Sequence, residues 1–142
     1  MMGFDVRSVR MGGVDAVLEL WRTAAENESR PADTRASVVG LLERDPAALL
    51  VAVSDTEVIG SLIAGWDGWR AHLYRLAVRP GHRRRGVGRA LLDAAEARLA
   101  GLGVRRFDAM VLDLSLSELG HRLWQAAGYR RQDEWGRWVK TS

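Results

Sequence analysis

The chain has 142 residues, a formal net charge of +3 and no cysteine, which excludes disulfides, thiolate catalysis and cysteine-ligated zinc. Hydrophobic residues make up 47%, enough for a packed core, and the length predicts one domain over residues 1–142. The pI near 10.1 reflects arginine usage, since Lys140 is the only lysine, and it suits a phosphate-rich small ligand better than nucleic acid.

His72, His82 and His121 are too scattered for a metal motif, so no metal is expected. No apolar run approaches the ~20 residues of a membrane span, and the N-terminus lacks the pattern of a signal peptide. A cytoplasmic protein with no membrane partner is the expectation.

In chain order, residues 4–9 alternate apolar and polar as a half-buried strand does. Val14, Val17, Leu18 and Trp21 recur at helical spacing, followed by a polar loop over residues 26–31. Asp33 or Thr34 can cap a second helix carrying Val38, Val39, Leu41 and Leu42. Residues 49–53 predict a buried strand, and residues 58–64 its hairpin partner. Asp67-Gly68 is a hairpin turn signal leading into a central strand over residues 71–78.

Pro80 and Gly81 end that strand. The loop His82-Arg83-Arg84-Arg85-Gly86-Val87-Gly88 then opens a helix with Leu91, Leu92, Ala95 and Leu99 on one stripe. Gly101 and Gly103 stop it. Glycines at a helix N-terminus leave N–H groups free, and with the positive end of the helix dipole they form an anion site. Arg83, Arg84, Arg85 and Arg89 add positive charge, so a pyrophosphate cradle is the inference.

Residues 105–112 predict another strand, residues 116–127 a helix, and residues 129–132 with 135–140 a last hairpin. The order β-αα-βββ-α-β-α-ββ implies an α/β (α+β) fold: a mixed central sheet with helices on both faces.

Arg83-x-x-Gly86-x-Gly88, preceded by Leu76-Ala77-Val78-Arg79-Pro80 and followed by Ala90-Leu91-Leu92, resembles the signature of the GNAT superfamily of N-acetyltransferases. That resemblance covers roughly residues 47–139. It implies acetyl-CoA as co-substrate, with Arg83, Arg84, Arg85, Gly86, Val87, Gly88 and Arg89 around its pyrophosphate. Backbone groups of Leu76, Ala77 and Val78 are implied along its pantetheine arm, between splayed strands. The implied reaction is direct attack of a primary amine, on a small molecule or peptide, upon the thioester. Alternatives are a non-catalytic acyl-CoA-binding or sensing domain and, less favoured, a small nucleic-acid-binding domain.

The chain departs from the family where a tyrosine commonly serves as general acid. Trp124 stands at that position, offering a flat apolar wall, and Ser117 stands where an asparagine is usual. His72 is the favoured base, since imidazole accepts protons near neutrality; Asp113 competes. Tyr74 shares a side of the strand with His72. Trp21, Glu26, Asn27, Trp69, Glu134 and Trp135 are candidates to line the acceptor pocket. Trp135 and Trp138 alternate with Arg137 on the last hairpin, where a homodimer would find apolar surface.

Overall fold

The structure is a computed structural model that describes residues 3–24, 33–110 and 118–141, with backbone only at 118–121. Its elements are β1 (Asp5–Ser8), α1 (Val14–Ala24), α2 (Arg35–Arg44), β2 (Leu49–Ser54), β3 (Glu57–Trp66), β4 (Ala71–Val78), α3 (Val87–Gly101), β5 (Phe107–Ala109) and α4 (Glu118–Ala126). The five strands lie side by side in chain order. The first four are antiparallel, and β5 runs parallel to β4. The mixed sheet is therefore the predicted one.

Every residue of β2 is buried, because helices cover both faces of the sheet. Leu49, Val51 and Val53 join Val14, Val17, Leu20, Trp21, Val38 and Leu42 from α1 and α2. Leu50 and Ala52 join Leu91, Leu92, Ala95 and Leu99 from α3. Removing a large apolar side chain from either layer costs about 2–5 kcal/mol.

Local signals act as their chemistry dictates. Thr34 caps α2 by accepting the Ser37 amide at 3.1 Å. Asp67 accepts the amides of Trp69 and Arg70 at 2.8 and 2.7 Å, closing the β3–β4 turn with Gly68 at φ +95. Those two amides hold the Asp67 carboxyl below the usual carboxylate range. Arg98 of α3 pairs with Asp45 after α2, clamping the helices of opposite layers across the end of the sheet.

Two expectations need correction. β5 is shorter than predicted: Arg105, Arg106 and Met110 lie outside it, and residues 111–112 lie outside the described residues. The C-terminal hairpin does not form strands; residues 130–141 are exposed, with only a turn at Asp133–Glu134. Trp135, Trp138 and Val139 are 71, 95 and 69% exposed, so pairing would bury nothing to offset the entropy of ordering a two-stranded ribbon. No helix among the described residues is long and apolar enough to cross a membrane.

Candidate active site

Between β4 and α3 the chain makes a 3-10 turn at Pro80–His82 and then reverses through two residues in the left-handed region. These are Arg84 at φ +64 and Gly86 at φ +80. Glycine adopts this conformation freely, whereas arginine does so at a cost of about 1–2 kcal/mol. The Ala90 amide bonds the Gly86 carbonyl at 3.0 Å. No amide from Arg84 to Arg89 donates to backbone among the described residues. A row of free N–H groups thus opens the positive end of a 15-residue helix.

The arginines divide into two kinds. Arg83 donates to the Val78 carbonyl at 3.3 Å. Arg89 bonds Asp93 at 3.1 Å and reaches the Ala126 carbonyl at 3.5 Å, so it ties α3 to the end of α4. Arg79, which sequence reasoning left without a role, donates to the Val58 carbonyl at 2.8 Å and pairs with Glu57 at 3.2 Å. It pins the start of the loop to β3. Arg84 and Arg85 bond nothing among the described residues and remain available to an anion.

The two glycines serve different purposes. A Cβ on Gly86 would meet nothing within 4 Å, so its positive φ is what requires glycine there. A Cβ on Gly88 would stand 3.0 Å from the Leu123 side chain. Gly88 therefore admits α4 against the start of α3, and an aspartate there would disturb packing as well as charge.

β4 carries an irregularity beside the loop. Ser61 opposes Ala77 and Ile63 opposes Tyr74, so Arg75 and Leu76 together face Leu62. This is a β-bulge, with Arg75 at φ +60. It reverses the facing of the strand: Leu73 lies in the α3 layer, whereas Ala77, four residues on, lies in the α1 layer. The Arg79 amide bonds the Ile59 carbonyl at 2.8 Å. By alternation, the amides and carbonyls of Leu76 and Val78 then face the other edge, toward β5. There the ladder spans Ala71–Leu73, and Met110 has already left it. Continued at that register, residues 112–114 would stand beside Leu76, Ala77 and Val78, and they lie outside the described residues.

His72 and Tyr74 are exposed on the α1 face of β4. Tyr74 lies over Gly65, where a Cβ would be 3.1 Å from its hydroxyl. His72 opposes Gly65 across the hairpin and Asp108 across the parallel ladder. Four residues of strand put it roughly 13 Å from Leu76. His82 faces Glu57 at 3.9 Å. Asp113, Ser117, Glu26 and Asn27 lie outside the described residues.

Trp124 is 7% exposed within the α3 layer, its ring edge-on to Tyr129 at 5.0 Å. The Tyr129 hydroxyl in turn donates to Glu96 at 2.6 Å. Burial first, and the Glu96 carboxylate second, push the Tyr129 hydroxyl well above the usual tyrosine range. The unfolded chain therefore ionises first on raising the pH. Stability from this group is complete below pH ~10 and declines above it. Urea midpoints between pH 9 and 11 should fall less steeply for Tyr129→Phe; an equally steep fall would remove Tyr129 as the cause.

The described candidates for the acceptor lining lie apart from one another. Trp21 is buried, and its indole donates to Ser61 at 2.8 Å. Glu134 and Trp135 lie on the exposed C-terminal stretch. Trp69 borders an open cleft of about 480 Å³ with Trp66, Arg70, Leu102, Arg105 and Arg106. That cleft sits at the end of β4 opposite the amide row, near His72, whose ladder partner Asp108 also lines it.

A helix that starts on free amides directly after the fourth strand of a mixed five-stranded sheet is suited to an anion. The chain matches the acetyltransferase (GNAT) family over residues 14–129 and belongs to it. It is 33% identical over 108 residues to an acetyltransferase of Pectobacterium atrosepticum, covering 75% of each chain. Among solved structures it is similar to the aminoglycoside N-acetyltransferase AAC(6')-Iy in complex with CoA, with a TM-score of 0.81 at 20% identity over 100% of this chain and 97% of that one. It is also similar to the PaiA N-acetyltransferase of Thermoplasma acidophilum in complex with coenzyme A. There the TM-score is 0.83 at 18% identity, covering 93% and 92%. The chain is an acetyltransferase of this family.

Proposed function

We propose that the protein transfers the acetyl group of acetyl-CoA to a primary amine by direct attack on the thioester. The observation that carries this reading is the amide row from Arg84 to Arg89, opening beside the β4 edge that presents Leu76 and Val78. The amides of Gly86, Val87, Gly88 and Arg89, with Arg84 and Arg85 at the rim, suit a pyrophosphate. Backbone groups of Leu76 and Val78 suit the amides of a pantetheine arm and the thioester carbonyl. Acetyl-CoA supplies the activated acyl carbon. The amine nitrogen forms the new C–N bond, the C–S bond breaks with its electron pair on sulfur, and one amine proton must leave. His72 is the first candidate to take that proton, and Asp113 is the second.

The basic surface gives less support to nucleic-acid binding. Arg22, Arg35, Arg75, Arg79, Arg89, Arg98, Arg106 and Arg131 each pair with a carboxylate.

The test joins binding to turnover. At 100 times its dissociation constant, CoA should stabilise the fold by about 2.7 kcal/mol, a rise of roughly 5–10 °C in Tm. A panel of amines, followed by release of free CoA thiol, should then yield turnover. A thermal shift with no turnover on any amine turns the reading to an acyl-CoA-binding domain. No shift at all removes both.

A further inference from the structure

We infer that Ser61 is a positioning residue for acetyl transfer, acting through the bulge in β4; the inference rests on the functional reading above. Ser61 lies in the middle of β3 and is fully buried. Its neighbours Ile59, Leu62, Ile63 and Ala64 are apolar and buried with it. A hydroxyl in such a place must have partners, and both of its hydrogen-bonding roles are used. It accepts the Trp21 indole N–H at 2.8 Å and donates to the Arg75 carbonyl at 2.8 Å. A helix of one layer is thereby wired to the backbone of the bulge.

That backbone needs holding. Arg75 is a non-glycine residue at φ +60 within a strand, a conformation that persists only where its surroundings over-determine it. Its side chain is held as well, paired with Asp33 and stacked over the Trp21 ring at 5.1 Å. Trp21 therefore touches the bulge residue twice, once through the guanidinium and once through Ser61. The carbonyl that Ser61 fixes belongs to the peptide linking Arg75 to Leu76, so it sets the direction of the Leu76 amide on the side of β4 away from β3. Without the hydroxyl, the Arg75 carbonyl and the Trp21 N–H lose their partners. The bulge can then relax toward regular strand geometry, and the Leu76 amide turns away.

The amide row at α3 does not depend on this relay, so acyl transfer and CoA binding should separate. For Ser61→Ala, kcat should fall about 10-fold or more, while the dissociation constant for CoA stays within threefold. The Arg75 Cα and Cβ chemical shifts should move toward extended-strand values. In an Arg75→Gly background, where glycine takes the positive φ freely, adding Ser61→Ala should lower kcat by less than threefold. If Ser61→Ala is unfolded at assay temperature, Ser61→Cys, which keeps a weak donor in place, is expected to show the same separation more weakly. An unchanged kcat, or a parallel loss of CoA affinity, would overturn the inference. If the wild type acetylates no amine, the functional reading fails separately, and unchanged Arg75 shifts in Ser61→Ala overturn the relay by themselves.

Discussion

Reversing the two available guanidiniums, Arg84→Glu with Arg85→Glu, should weaken acetyl-CoA binding about 100-fold. Hydrogen bonds to charged groups contribute about 1.5–3 kcal/mol each, and about 2.7 kcal/mol corresponds to a factor of 100. The two side chains bond no described residue, so their loss leaves the fold unstrained, and glutamate meets the same backbone cost as arginine at φ +64. Arg89→Glu would be a poorer probe, because Arg89 also bridges to Asp93 and the Ala126 carbonyl. Titration calorimetry at fixed ionic strength gives the measurement, with Arg130→Glu plus Arg137→Glu on the exposed C-terminal stretch as the control of equal charge change. A loss under threefold in the double variant would move the pyrophosphate away from this loop.

His72→Ala should lower kcat/KM by about 100-fold, within the usual contribution of a general base, with CoA affinity unchanged. His72 is exposed on the α1 face of β4 and separated along the strand from the loop of residues 82–88. A lost side chain there removes no core packing, so a fall in rate reports chemistry. Asp113→Asn provides the comparison. Should it abolish activity while His72→Ala keeps full rate, the base is Asp113; full rate in both leaves deprotonation to the amine itself.

Local chemistry alone determined most of the elements and the loop. Thr34, Asp67-Gly68, Gly86 and the Leu91-Leu92-Ala95-Leu99 stripe act through neighbours a few residues away, so their sequence signals survive folding. The order of elements and the likeness around Arg83 to Gly88 were legible for the same reason, since strand, turn and helix start are contiguous there.

Tertiary packing decided the rest. Nothing local marks Arg75 for a positive φ, because its conformation is held by Trp21, Ser61 and Asp33, all distant in sequence. A lone serine among apolar residues was the sole hint, as buried hydroxyls require partners. That Gly88 also faces the Leu123 side chain is visible only in the tertiary structure. That Trp124 is buried against Tyr129 is likewise visible only there. The C-terminal alternation of Trp135, Arg137 and Val139 carries strand periodicity, yet periodicity forms a strand only where another surface accepts its apolar face. In this chain those side chains remain in solvent.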